Sequence, residues 1–131
     1  MDKLLSGRRI LVVEDEMVLL MTIEDILADL GCESVTTASR VDEAVSLVNG
    51  EVFDAAMLDM DLNGATSRPV ADALFARGVP FFVSTGNRGD DVWDDCRDHA
   101  VIRKPYKYDA LVEILTRLLP RRSSDNGIGK A

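Results

Sequence analysis

Phe53-Asp54-Ala55-Ala56-Met57-Leu58-Asp59-Met60-Asp61-Leu62-Asn63-Gly64 opens as an apolar run and closes on two acids and a turn. The run has no polar alternation, which is how a strand buried on both faces reads. Asn63 and Gly64 supply the turn after it. Asp59 therefore stands where the chain leaves a buried strand. In open α/β sheets that carboxyl end is where ligands bind.

Working outward, Arg9-Ile10-Leu11-Val12-Val13 is a second such run, and it leads straight into Glu14-Asp15-Glu16. Leu19, Ile23, Ile26, Leu27 and Leu30 then recur at helical intervals, with Gly31 as the stop. Cys32 to Thr37 reads as a less apolar strand near a sheet edge. Ser39 is placed to cap a helix carrying Val41, Ala44, Val45 and Val48, ended by Asn49-Gly50. Beyond the Asp59 loop, Thr66 or Ser67 is placed to cap a helix with Pro69 in its first turn. Val70, Ala73, Leu74 and Arg77 carry that helix to Gly78. Pro80 to Thr85 is the fourth strand, followed by the loop Gly86-Asn87-Arg88-Gly89. An acid-rich helix over Asp90 to His99, a fifth strand over Ala100 to Arg103 and a last helix striped by Leu111, Ile114, Leu115 and Leu118 complete the pattern. Strict strand–helix alternation implies an α/β fold: a doubly wound five-stranded parallel sheet with helices on both faces and one switch-point crevice. The expected organisation is an N-terminal extension over 1–7, one domain over 8–119 and a disordered tail over 120–131.

The chain has 131 residues, 47% hydrophobic and 29% charged, which suits one globular domain with a real core. Fifteen basic against 23 acidic residues give a net charge of −8, which argues against nucleic acid or an anionic membrane as the main partner. No apolar run reaches the roughly 18 residues of a membrane span. The first residues lack a signal-peptide layout, and Cys32 and Cys96 match no metal spacing. The expected setting is a reducing cytoplasm with both thiols free.

The strand ends carry the chemistry. The first offers Glu14 and Asp15, the third Asp59, the fourth Ser84 and Thr85, and the fifth Lys104. Two carboxylates about 4 Å apart repel by roughly 4 kcal/mol at an effective dielectric of about 20, so three acids in one crevice call for a cation. An all-oxygen pocket with few ligands suits Mg²⁺, with Mn²⁺ as a substitute. Asp59 is then an expected phosphate acceptor, since a carboxylate can attack phosphorus to give an acyl phosphate. Lys104 would bring positive charge to a phosphate oxygen, Thr85 would donate to another, and Gly86 would keep the approach open.

The set Glu14-Asp15, Asp59, Thr85 and Lys104-Pro105, in this order and spacing, resembles a response-regulator receiver domain of two-component signalling, over roughly residues 8 to 119. The resemblance implies a flavodoxin-like strand order of 2-1-3-4-5. It implies that Asp15 binds Mg²⁺ directly, Glu14 through water, and the backbone carbonyl of Asp61 as a further ligand. Thr85 and Lys104 would engage the phosphoryl group, with a cis bond before Pro105 aiming Lys104 inward. The side chains of Asp61 and Asn87 would tune phosphate loss. A sensor histidine kinase or a histidine phosphotransfer protein would be the donor, docking on the first helix, where Leu19, Leu20 and Met21 are candidate exposed contacts. The face from the fourth strand to the last helix would serve an unknown downstream protein. Two features depart from the family: Val101 replaces the usual switching aromatic, and the loop after Asp59 lacks Met-Pro. Both, with Pro80 to Asn87, are similar to a subgroup of stand-alone receivers carrying Pro-Phe-x-Phe-Ala-Thr-Gly-Tyr.

Each residue also has a plainer reading. Glu14-Asp15 can serve a helix N-terminus, Asp59 a turn, Thr85 a loop hydroxyl and Lys104 a solvated surface. Their convergence on one sheet rim favours the joint reading. His99 is a lone histidine, Trp93 an anchor for a weak helix, and Asp90, Asp91, Asp94, Asp95 and Asp98 a solvated face. Two other functions compete with a signalling receiver that is no metabolic enzyme. One is a phosphate-independent scaffold. The other is a phosphatase resembling the haloacid dehalogenase group, whose Asp-x-Asp is mimicked by Asp59-Met60-Asp61. That group places Asp-x-Asp on its first strand and encloses substrate with a cap, and neither feature is present here.

Overall fold

The computed structural model of the chain describes residues 3–62, 64–85, 101–103 and 107–119. Their elements in chain order are β1 (Arg9–Val13), α1 (Met17–Asp29), β2 (Ser34–Ala38), α2 (Val41–Gly50), β3 (Ala55–Asp59), β4 (Asp61–Leu62), β5 (Ala65–Thr66), α3 (Arg68–Ala76), β6 (Phe81–Thr85), β7 (Val101–Arg103) and α4 (Tyr108–Leu118). The main sheet runs β2-β1-β3-β6-β7 and all four pairings are parallel. This is the expected doubly wound order, with the strand before α2 at one edge. The helix expected over Asp90 to His99 lies outside the described residues, as do Cys96 and the stretch after Leu119.

The pleat sorts each strand between two cores. Ile10 and Val12 of β1, Ala55 and Met57 of β3, Phe82 of β6 and Ile102 of β7 pack with Leu20, Ile23 and Leu27 of α1 and Leu111, Ile114 and Leu115 of α4. Leu11, Val13, Ala56, Leu58, Phe81 and Val83 pack on the other face with Ala44 and Val48 of α2 and Val70, Ala71 and Leu74 of α3. β3 is buried at every position, as its unbroken apolar run requires.

Local chemistry sets the element boundaries. Gly31 ends α1 at φ +90, with Cys32 N–H donating to Leu27 O and Gly31 N–H to Ala28 O, both at 3.0 Å. This is a Schellman closure, and it corrects the second strand from Cys32–Thr37 to Ser34–Ala38. Cys32 N–H is used by the helix end, while Glu33 and Ser34 N–H both reach Arg8 O. Ile23, Leu27 and Leu30 of the expected α1 stripe are buried and Leu20 joins them, whereas Leu19 and Ile26 are half-buried. At α2 the cap position is Arg40, and Ser39 instead donates its N–H to Glu43 Oε1 at 3.1 Å. Residues ahead of β1 join the fold. Leu5 is fully buried, its N–H donates to Leu30 O at 2.9 Å, and Ser6 bridges antiparallel to Cys32. At the same end of the sheet, Arg9 N–H donates to Asp54 Oδ2 at 2.7 Å and the Arg8 guanidinium lies 3.6 Å from Asp54.

Candidate functional site

At the carboxyl ends of the central strands the pleat lines up a polar row. Asp59 continues the Ala55, Met57 face of β3, and its partner across the β3–β6 ladder is Ser84. Glu14 follows Val13, whose partner is Leu58, so it falls beside Asp59 on the same face. All three are buried, at 1% exposure for Glu14, 4% for Asp59 and 0% for Ser84. Asp15, half-buried, brings a third carboxylate from the turn into α1. Ligand oxygens of Glu14, Asp15 and Asp59 lie within 4.8 Å of one another.

That spacing fits a small divalent cation. Opposite ligands about 2.1 Å from one Mg²⁺ are about 4.2 Å apart, so a slight contraction brings all three into one shell. The donors are all oxygen, as Mg²⁺ and Mn²⁺ prefer. Without a cation, each pair of charges at this distance repels by about 3.5 kcal/mol at an effective dielectric of about 20.

The backbone around Asp59 is held tightly. Met60 N–H donates to Ser84 O at 3.0 Å, and Asp61 N–H lies 3.4 Å from Asp59 Oδ1. Glu16 N–H donates to Glu14 Oε2 at 3.2 Å, fixing the first acid as α1 begins. After Asp59 the chain makes a small hairpin, β4 against β5, with Asp61 paired to Thr66 and Leu62 to Ala65. Gly64 sits in its turn at φ +85, a conformation that favours glycine. The hairpin returns Ser67 to β3. Ser67 N–H donates to Met60 O at 3.1 Å, and its buried hydroxyl donates to Asp59 O at 2.5 Å. Ser67 is the first residue before α3, but its hydroxyl makes no cap bond. Of the two expected caps, Ser67 is used by β3 instead, while Thr66 Oγ1 accepts from Arg68 N–H at 3.2 Å at the start of α3. Hairpin arithmetic was the available signal, since a two-residue Asn-Gly turn pairs 61 with 66 and so carries 67 back to 60.

The other expected residues fall as follows. Thr85 is buried at 2% exposure at the end of β6, one residue beyond Ser84. Asp61 opens β4 with its side chain exposed. Lys104, Pro105 and Asn87 lie outside the described residues. Among the described residues Ser84 Oγ is buried with no hydrogen-bond partner. Around the acid pair, α1 leaves Met17, Val18 and Met21 exposed at 67%, 78% and 57%. Met21 is exposed as expected, and Met17 and Val18 stand in for Leu19 and Leu20, which are half-buried and buried. Val101 is half-buried against the α2/α3 core. Among the described residues no helix is long and apolar enough to cross a membrane.

Comparison with known proteins agrees with this geometry. The family model of the response regulator receiver domain matches residues 10–116. The solution structure of SdrG from Sphingomonas melonis Fr1 is 38% identical, covering 88% of this chain and 97% of that one, at a TM-score of 0.73. The BeF3-activated conformation of SdrG, from Pseudomonas melonis Fr1, is 40% identical over 88% and 98%, at 0.77. The receiver domain of the sensor histidine kinase PA1611 from Pseudomonas aeruginosa PAO1, with magnesium in its active-site cleft, is 29% identical over 86% and 98%, at 0.74. A comparison with curated protein sequences found no match.

Proposed function

The chain belongs to the response regulator receiver family, a signalling family of two-component systems, and from that membership we propose that it accepts a phosphoryl group on Asp59 and transmits the change by protein–protein contact. The donor is a sensor histidine kinase or a histidine phosphotransfer protein. As a phosphohistidine N–P bond breaks, an Asp59 Oδ–P bond forms, and the electron pair leaves with the imidazole nitrogen. Loss of the signal is attack of water on phosphorus, which regenerates the carboxylate and releases inorganic phosphate. Glu14, Asp15 and Asp59 hold the cation, with the Asp61 carbonyl as a further ligand. Mg²⁺, or Mn²⁺ in its stead, supplies positive charge against the phosphoryl oxygens. Thr85 and Lys104 engage those oxygens, and the exposed Asp61 side chain and Asn87 set how water reaches them. Met17, Val18 and Met21, beside the acids, form the surface on which the donor docks.

The observation that carries this reading is the meeting of Glu14, Asp15 and Asp59 within 4.8 Å, two of them buried, at the ends of adjacent central strands. Its test is incubation with acetyl phosphate and Mg²⁺ followed by intact mass. One added phosphoryl on wild type, absent from Asp59→Asn and from Mg²⁺-free samples, is the expected result. Equal labelling of both proteins would refute the assignment.

Val101 favours a second reading. A branched aliphatic packed on the α2/α3 core replaces the aromatic whose rotation reports phosphorylation in the family. A phosphate-independent scaffold would need no such rotor. Partner binding identical in wild type and Asp59→Asn would establish that alternative.

A further inference from the structure

An apolar groove lies at the amino end of β6, the opposite end of the sheet from the acids. Among the described residues its walls are Phe75, Gly78 and Val79 at the end of α3, Pro80 and Phe81 at the start of β6, and Leu118 at the end of α4. It measures about 440 Å³, and none of these residues is charged. Val79 and Phe81 pack with the α2/α3 core and Leu118 with the α1/α4 core, so the groove opens where both helical layers end. Phe81 is 4% exposed, whereas Phe75 stands 73% exposed. Packing does not require Phe75, because the buried stripe of α3 is Val70, Ala71 and Leu74. A single exposed apolar side chain is ordinary, but one beside an apolar concavity of this size marks a binding surface. The rim is basic in a chain of net charge −8. Arg77 and Arg117 adjoin Gly78 and Leu118, both are exposed, and neither pairs with an acid among the described residues. Each helix end contributes about half a negative charge, less than the full charge of its arginine, so the rim stays net positive. Arg121 and Arg122 follow closely after Leu118 in the sequence.

We propose that this groove docks a partner protein through an acidic segment carrying one large apolar side chain. The apolar group seats between Phe75 and Leu118 over Phe81, and the flanking acids face Arg77 and Arg117. A second copy of the chain set groove to groove would bring the arginines of both rims together, which like-charge repulsion opposes. Residues 120–131 offer Ile128 as a bulky aliphatic, but their Arg121 and Arg122 carry the same charge as the rim. A separate acidic partner meets neither objection. No atom of the groove belongs to the acid cluster, so the docking holds whether or not Asp59 is the acceptor.

The test is titration of the full-length, isotope-labelled protein with a short synthetic peptide of aspartate and glutamate around a central tryptophan, followed by amide shifts. Saturable shifts centred on Gly78, Val79, Phe81 and Leu118 are the expected result. Phe75→Ala should weaken binding about tenfold, as loss of an aromatic anchor does. Arg77→Glu combined with Arg117→Glu should also weaken it and abolish its dependence on salt. Both variants alter exposed side chains, and an unfolding midpoint like that of wild type reports that they fold. A peptide with lysine in place of the acids should not bind. Absence of saturable shifts in wild type, shifts centred on another surface, undiminished binding in either variant, or equal binding of the lysine peptide overturns the proposal. Self-association that Phe75→Ala abolishes would assign the groove to a second copy, and tighter peptide binding by Ile128→Ser would assign it to residues 120–131; either result overturns the separate acidic partner.

Discussion

The Ser67 hydroxyl donates to the backbone carbonyl of Asp59 at 2.5 Å, across the neck of the β4–β5 hairpin. It ties the start of α3 to β3, and Ser67 N–H reinforces the tie through Met60 O at 3.1 Å. The loop that carries Asp61 is thereby clamped to β3.

Ser67→Ala should cost about 1–3 kcal/mol, because it leaves a buried carbonyl short of its donor. Mg²⁺ affinity should fall with it, as the loop loses its clamp. Urea unfolding with and without Mg²⁺ measures both effects. An unchanged unfolding midpoint would show that the bond contributes nothing net.

Charge crowding gives a prediction of opposite sign. Asp59→Asn removes one member of the cluster and should stabilise the metal-free protein by about 1–2 kcal/mol, part of the repulsion expected at these distances. Saturating Mg²⁺ should reverse the order, raising wild type above the variant. Paired thermal scans in chelator and in Mg²⁺ check the crossing. Parallel curves would mean that the three acids do not share a cation.

Gly31 and Gly78 separate two costs of a side chain. Both have positive φ, +90 and +70, at helix ends. A Cβ at Gly31 would also lie 2.7 Å from Lys3 Cβ, whereas one at Gly78 would meet nothing within 4 Å. Gly78→Ala should cost about 1 kcal/mol for the backbone alone. Gly31→Ala should cost more, since the segment before β1 must shift as well. Chemical denaturation of the two variants gives the comparison, and equal losses would dismiss the steric part.

Tyr108 links the last helix to the first: its hydroxyl donates to Asp29 Oδ2 at 3.0 Å. That hydrogen bond, reinforced by the Asp29 charge, raises the phenol above its ordinary value. The bond needs the protonated phenol. Its contribution is thus present below the usual tyrosine range near about 10 and is lost as pH rises through the higher folded value. Ultraviolet titration should show a late-ionising tyrosine that Asp29→Asn returns toward normal. Titration unaffected by that substitution would remove Asp29 as the cause.

Cys32 should react slowly. Burial is the main reason its thiol is raised, with the Asp54 and Glu33 charges adding to it and backbone hydrogen bonds opposing. Sγ also lies 3.3 Å from both Arg8 O and Ser34 O, which share its single S–H donor. Alkylation at neutral pH, read by peptide mass, should label Cys32 only on unfolding. Rapid labelling of the native protein would contradict this.

The strand–helix alternation and both cores were legible because buried parallel strands and helical stripes leave distinct periods, while the sheet order was implied by the family resemblance. The acid cluster was legible because those strands end on Glu14, Asp15 and Asp59, and register then does the rest. The phase of α1 was less so. Leu19 and Leu20 are both leucines, and a helix of many apolar residues does not say which lies on the core until the partner face is known. The choice between Thr66 and Ser67 as cap was open for a related reason: only the hairpin pairing between Asp61 and Thr66 shows that Ser67 returns to Asp59 and leaves Thr66 Oγ1 to accept from Arg68 N–H. Ser84 was visible as a hydroxyl at a strand end, but its solitude is a three-dimensional property that no sequence carries.

Leu5 has a practical consequence for handling the protein. Its side chain fills the floor beneath the first helix, so trimming the amino end back to Arg8 would open a hole there and shed the Ser6–Cys32 pairing. Affinity handles and fluorescent fusions should be attached upstream of Lys3, where they leave that floor sealed.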